Sequence, residues 1–254
     1  MTARLVLPPL PPEPSVALII PALDEAGNIG RLVAAIPALP GRRLRVIVVD
    51  NGSRDATADE AAAAGAQVIR EPRRGYGRAC AAGTAAARGH DVLVYLDGDG
   101  SFAPAELPRL LGPLAAGADL VLGARRLDHG ASGAMPAHQR FGNRLAAALL
   151  RRLYGVALSD LGPYRAVRAA LVERLALREM TYGWPTEMIV KAARLGARIV
   201  EVPVSCRPRG AGRSKVSGTL RGTVLAAVHI VGTALRYAAV PVDESSQWGR
   251  SEMR

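Results

Sequence analysis

Apolar residues recur along the first half of the chain in two alternating rhythms. Short apolar runs at Val16 to Ile20, Leu44 to Val49, Gln67 to Ile69, Val92 to Leu96 and Asp119 to Leu122 read as strands buried on both faces. Between them, apolar residues fall at helical spacing near Ala26 to Ile36, Arg54 to Ala64, Gly77 to Arg88 and Pro104 to Ala116. Such alternation predicts right-handed βαβ units, hence an α/β fold with a mainly parallel sheet and helices on both faces. After Gly123 the rhythm breaks. A basic, glycine-containing loop leads to helices near Arg140 to Tyr154 and Gly183 to Leu195 and to a last strand, Arg198 to Val202. This half is expected to complete a site rather than repeat the first.

The same pattern divides the chain. Residues 1–14, with Pro8, Pro9, Pro11, Pro12 and Pro14, are expected to be a disordered or polyproline-like leader, lacking the basic start, apolar core and cleavage site of a signal peptide. One domain is expected over 15–217, since 254 residues that are 49% hydrophobic can bury a substantial core. From Thr219 to Val242 the chain is apolar except for Arg221, His229, Arg236 and a few small polar residues. Only fourteen residues separate the two arginines, too few for a comfortable membrane span, so an interfacial or packed helix is expected over 218–240, followed by a flexible tail over 241–254.

Charge narrows the partners. Lys and Arg outnumber Asp and Glu by 33 to 22, a formal charge of +11, which favours an anionic partner. Only 4% of residues are aromatic and no nucleic-acid-reading motif occurs, so phosphorylated small molecules and anionic lipid surfaces fit at least as well as nucleic acid. Cys80 and Cys206 lie far apart without metal-ligand spacing and read as a reduced cytosolic pair, and the four histidines form no zinc motif. The expected location is cytoplasmic, with peripheral contact at the inner face of the membrane the most that the C-terminal segment supports.

Candidate chemistry gathers where the strands end. Tyr95-Leu96-Asp97-Gly98-Asp99-Gly100-Ser101 closes the fourth apolar run with two neighbouring carboxylates. Placed in the crevice beyond a parallel sheet, such a pair can hold a hard divalent cation that bridges phosphate oxygens. Asp-Gly is also a turn signal, so a plain hairpin is the competing reading. A helix-loop-helix calcium site is excluded, because Phe102 and Pro108 stand where its glycine and glutamate would be.

Other strand ends deliver further polar groups. Pro21-Ala22-Leu23-Asp24-Glu25 follows the first strand, and Asp50-Asn51-Gly52-Ser53-Arg54-Asp55 the second. A carboxylate there can accept hydrogen bonds from a ribose or a base edge, although Ser53 or Asp55 could equally begin the next helix. Arg73-Arg74-Gly75-Tyr76-Gly77-Arg78 combines cations with a helix start that suits anions. Cys80 occupies the place of the final glycine of a dinucleotide fingerprint, and there is no Walker loop.

Taken in order, Pro21 to Glu25, Val49-Asp50-Asn51-Gly52-Ser53-Arg54-Asp55-Ala56-Thr57, Gly75-Tyr76-Gly77, Asp97-Gly98-Asp99 and Gly123-Ala124-Arg125 resemble family 2 glycosyltransferases of the GT-A fold. The likeness is greatest to the dolichyl- or polyprenyl-phosphate mannosyl- and glucosyltransferase branch and runs from about Val16 to Tyr237. It implies a metal-dependent, inverting transfer of a hexose from a nucleotide-diphospho-sugar. Pro21, Ala22, Glu25, Asp50 and Gly77 would serve the nucleotide sugar, and Asp97 and Asp99 a Mg²⁺ or Mn²⁺ on its diphosphate. Ser101 stands where the family often has Gln, and Asn51 where Asp is common. Arg125, with His138, Arg140 and Asn143 downstream, matches the stretch that receives the acceptor phosphate. Arg207-Pro208-Arg209-Gly210-Ala211-Gly212-Arg213-Ser214-Lys215 resembles a mobile R-x-x-G-x-S-K loop whose Arg209, Ser214 and Lys215 would close over the diphosphate.

The resemblance casts Asp99, Arg125 and Glu187 as catalytic. With a hydroxyl acceptor, Glu187 or Asp160 would be the base. With a lipid phosphate, already ionised, both acids would only orient arginines and the loop. Transfer to a soluble or glycan hydroxyl is therefore the competing activity, and a catalytically inactive nucleotide- or membrane-binding module the competing class. A nucleotidyltransferase would need a Gly-rich basic loop where Pro21 to Glu25 stands.

Overall fold

The computed structural model describes residues 5–126, 137–209 and 230–238, except for the side chains at 126 and 137–141. Its strands are β1 (Val16–Ala22), β2 (Leu44–Asp50), β3 (Gln67–Arg70), β4 (Val92–Tyr95), β5 (Leu120–Arg126), β6 (Arg165–Arg168) and β7 (Ile199–Ser205). Its helices are α1 (Ile29–Ala34), α2 (Thr57–Ala63), α3 (Tyr76–Ala86), α4 (Leu107–Ala115), α5 (Ala137–Tyr154), α6 (Ala169–Leu175) and α7 (Trp184–Arg194). The chain over 230–238 is also helical. All seven strands join one sheet in the order β3-β2-β1-β4-β6-β5-β7.

Period-two alternation within each strand builds two cores. Val16, Leu18 and Ile20 of β1 point with Val48, Val92 and Val94 toward α1, α2 and α4. Ala17 and Ile19 face the other way, with Ile47, Val49, Leu93 and Tyr95, toward α3, α5, α6 and α7. Neighbouring side chains of a strand point to opposite faces, so a continuous apolar run is what a sheet covered on both sides requires. On the second face Trp184 meets Tyr95 edge to face, with ring centroids 4.7 Å apart.

After Gly123 the chain also adds two elements that the pattern does not announce, β6 and α6. β6 lies antiparallel between β4 and β5, so every other strand ends on the same edge, and β6 begins there. Only Ala166 and Val167 make an apolar run in β6; Arg165 and Arg168 flank them and are nonetheless buried. Carbonyls and a carboxylate make that burial tolerable. The Arg165 guanidinium donates to the carbonyls of Pro185 (3.0 Å) and Gly162 (2.7 Å), and Arg168 pairs with Asp119 (3.2 Å) and donates to the Pro8 carbonyl.

Residues 5–14 have no helix or strand. They lie against the domain rather than apart from it, with Leu5 and Leu7 packed on one core and Leu10 on the other. The Ser15 hydroxyl and N–H both donate to Asp91, tying the entry of β1 to that of β4. No described helix is long and apolar enough to cross a membrane. Within 230–238, Thr233, Ala234 and Tyr237 are buried. The described part of the apolar C-terminal segment is therefore packed on the domain.

Candidate active site

The crevice opens at the strand ends where β1 turns from β2 on one side to β4 on the other, the switch point at which open α/β sheets receive ligands. The turn after β4 brings Asp97 and Asp99 to this point. Gly98 makes it possible, because a side chain there would stand 3.2 Å from the Pro21 carbonyl at the end of β1. The Ser101 N–H donates to Asp99 Oδ1 (2.9 Å), and the Ser101 carbonyl accepts from the N–H of Arg207 (2.8 Å), which ties the acidic turn to the exit of β7. Ser101 thus contributes backbone bonds where the family pattern has Gln.

Electrostatics distinguish this pair from an ordinary turn. Burial first, and then the charge of Asp99, push the Asp97 carboxyl up to about 7, against the opposing effects of the Tyr76 hydroxyl, Arg165 and Arg125. Tyr76 donates to Asp97 Oδ1 at 3.0 Å. Burial and the Asp97 charge raise its own pKa well above the ordinary value, so it stays a donor. Two carboxylates crowded together and short of compensating charge fit a divalent cation whose other positions are filled by phosphate oxygens and water. Among the described residues no cluster of three or more His, Cys, Asp or Glu could hold a metal alone, so such a cation would depend on its ligand for the rest of its shell.

Arg125, at the end of β5, reaches the same crevice on a rigid mount. Asp160 accepts from its Nε (2.7 Å), its Nη2 (2.6 Å) and its backbone N–H (2.8 Å). Burial opposes the Arg125 charge, but Asp160 outweighs it and holds the guanidinium pKa above its usual value. Asp160 is itself braced: Glu201 accepts from the N–H groups of Ser159 and Asp160, and Asn143 accepts from that of Leu161 (3.2 Å). Arg140 lies on α5, with its side chain outside the described residues, as is that of His138.

On the opposite wall the loops after β1 and β2 grip each other. Asp24 takes a left-handed backbone (φ 49°), held by Ser53 Oγ on its N–H and by the N–H of Arg54 on its carboxylate. Asp55 accepts from the N–H groups of Ala26 and Thr57, so it ties the first residue of α2 to the loop after β1. Asp50 accepts from the Ser53 N–H (2.9 Å). Glu25 is bridged by Arg209 at 2.6 and 2.8 Å, which joins two residues expected at the nucleotide sugar across 184 positions of sequence. Gly212, Ser214 and Lys215 lie outside the described residues.

Two expected residues do something other than face the crevice. Gly77 rests on protein: a side chain there would fall 2.3 Å from the Glu179 carbonyl, and one at Gly75, whose φ is +150°, 2.4 Å from that of Met180. Glu187 is fully buried in α7, where its carboxylate accepts from the N–H groups of Arg178 and Glu179 and from the Tyr237 hydroxyl, and pairs with Lys191. The residues missed from sequence are Tyr76 and Arg165. Tyr76 stands in the Gly75-Tyr76-Gly77 motif with no role assigned to it, and the signal for Arg165 is a charge inside a buried Tyr-Arg-Ala-Val stretch.

Comparison with known proteins now decides the family. The model for Glycosyl transferase family 2 matches residues 17–178. The chain is a family 2 glycosyltransferase. Over 212 residues this glycosyltransferase is 42% identical to an uncharacterized glycosyltransferase of Mycobacterium tuberculosis, covering 84% of this chain and 94% of that one. It is 36% identical over 238 residues to the undecaprenyl-phosphate mannosyltransferase of Micrococcus luteus, covering 87% and 96%. Among solved structures it resembles glucosyl-3-phosphoglycerate synthase of Mycobacterium tuberculosis in complex with Mn²⁺, UDP and phosphoglyceric acid, with a TM-score of 0.72, 26% identity, and coverage of 90% and 80%. Another structure of that synthase holds Mg²⁺ and UDP. The fold of this glycosyltransferase is GT-A.

Proposed function

We propose that this glycosyltransferase moves a hexose, with inversion, from a metal-bound nucleotide-diphospho-sugar to a polyprenyl phosphate. The observation that carries the reading is Arg125, locked bidentately by Asp160 and near enough to Asp97 for the two charges to influence each other. A fixed guanidinium fork suits a phosphate oxygen, and its nearness to the acid pair would set an acceptor phosphate beside the donor's diphosphate. Attack of that oxygen on the anomeric carbon forms the new glycosyl bond as the bond to the nucleoside diphosphate breaks, its electron pair leaving with the diphosphate. A divalent cation held by Asp97 and Asp99 would neutralise charge on that leaving group. Pro21, Ala22, Glu25 and Asp50 would line the nucleoside side, Arg209 and Lys215 would add positive charge at the diphosphate, and Ser214 would add a hydroxyl donor.

An ionised phosphate needs no general base. The engagement of Glu187 with backbone amides, Tyr237 and Lys191 supports this choice over a hydroxyl acceptor. Peripheral membrane contact follows from the acceptor and has support at the surface. Three of the four exposed large hydrophobics among the described residues, Leu145 (58%), Leu153 (38%) and Leu235 (51%), lie on α5 and the 230–238 helix, beside exposed Arg144, Arg151 and Arg152. The two helices adjoin through the Tyr154 hydroxyl on the Ala234 carbonyl. An apolar and cationic face suits anionic headgroups.

An acceptor panel tests the proposal. Nucleoside diphosphate release from GDP- and UDP-hexoses should require undecaprenyl phosphate. Equal release with 3-phosphoglycerate or with simple sugars, and none with the lipid, would overturn the lipid assignment.

A further inference from the structure

Sugar transfer leaves one buried network without a task. Glu187 accepts from the N–H groups of Arg178 (3.0 Å) and Glu179 (2.7 Å), from the Tyr237 hydroxyl (2.5 Å), and from Lys191 (2.8 Å). Lys191 also donates to the carbonyls of Leu175 (2.9 Å) and Ala176 (2.8 Å) and lies 5.1 Å from the centre of the Tyr237 ring. The pair therefore anchors the backbone at 175–176 and 178–179, immediately before Met180. The 230–238 helix presses on the same stretch: Arg236 pairs with Glu179 at 3.0 Å, and Gly183 leaves room for Thr233, whose Oγ1 would stand 2.5 Å from a side chain there.

That anchored stretch is the wall on which the start of α3 rests. The Arg78 N–H donates to the Met180 carbonyl (3.2 Å), and only glycine fits at 75 and 77 against the Glu179 and Met180 backbone. Between those glycines stands Tyr76, with its hydroxyl on Asp97 (3.0 Å). A partner on one carboxylate oxygen selects a rotamer and an orientation for the other, which is how outer-shell groups set a metal ligand.

We infer that Tyr76 is a positioning residue for Asp97, and that Glu187 and Tyr237 set its hydroxyl through the 178–180 wall, so that seating of the C-terminal helix tunes cation affinity in the crevice. This rests on the reading of Asp97 and Asp99 as cation ligands. Each tyrosine acts through a carboxylate, Tyr76 through Asp97 and Tyr237 through Glu187.

Wild type, Tyr76→Phe, Tyr237→Phe and the double variant should be titrated with Mn²⁺ in the presence of saturating GDP or UDP, following the spin-resonance signal of the free ion, with thermal melting measured alongside. Tyr76→Phe should weaken Mn²⁺ binding about tenfold, the lower end of what outer-shell losses cost, and Tyr237→Phe, acting one step further out, about threefold. The double variant should be no weaker than Tyr76→Phe, because both changes act on one hydroxyl. A Tyr237→Phe protein that melts lower yet binds Mn²⁺ like wild type would make the network a structural brace only and overturn the inference, as would fully additive losses. Wild type that binds no Mn²⁺ would instead sink the cation reading, and the inference with it.

Discussion

Asn51 uses its amide in a way no aspartate could. Its Nδ2 donates to the carbonyls of Glu71 and Arg73 (2.9 Å each), while its Oδ1 accepts from the Gly75 N–H (2.8 Å), so one side chain closes the loop that leads to Tyr76. Asn51→Asp would aim a carboxylate at two carbonyls and should destabilise the protein by about 2–3 kcal/mol, the cost of buried groups left unpaired, measurable by urea unfolding. Asp97 yields a prediction in pH. Its carboxyl, raised to about 7 in the folded protein, holds a proton that the unfolded chain has already released above the ordinary carboxyl pKa. Without a cation this group therefore lowers stability as pH rises toward 7. A cation must displace the proton, so Mn²⁺ affinity should fall about eightfold between pH 7.5 and pH 6, with proton release visible by calorimetry in two buffers of different ionisation enthalpy. Affinity constant across that range would contradict the assigned environment.

Among the elements, those with both faces buried were legible as apolar runs: β1, β2 and β4 begin where the pattern starts them, at Val16, Leu44 and Val92. The polar segments expected at their ends, Pro21 to Glu25, Asp50 to Asp55 and Asp97 to Asp99, all fall on one edge of the sheet. β6 and α6 were not legible. An antiparallel strand of four residues whose outer two are arginines has no hydrophobic signature, and it is buried only because distant carbonyls and Asp119 satisfy those arginines. The tasks of Gly77 and Glu187 were hidden for the same reason: each depends on the 178–180 backbone, which no local pattern links to α3. Arg165→Met should strand the Pro185 and Gly162 carbonyls and cost on the order of 2–4 kcal/mol in denaturant unfolding. It should also move the onset of Mn²⁺ binding to higher pH, since a positive charge that favours ionised Asp97 would be gone.

At the scale of the whole molecule, positive charge is used at two separate places. Part of it lies at the crevice through Arg125 and Arg209, held by carboxylates, with Arg165 buried behind them on carbonyls. Another part, with exposed leucines, faces outward from α5 and the C-terminal helix. Full-length protein should sediment with vesicles containing phosphatidylglycerol and not with neutral ones, and Leu145→Ser with Leu153→Ser should reduce that binding severalfold. Retention equal to wild type would remove this face from the account. If a cation on Asp97 and Asp99 clamps the donor, nucleotide binding must depend on both, so calorimetric titration with GDP or UDP, with and without Mn²⁺, in wild type and Asp99→Ala is the most direct measurement. The account predicts nucleotide binding that needs Mn²⁺ in wild type and vanishes in Asp99→Ala while the melting temperature holds. Binding that ignores both the metal and the substitution would contradict it.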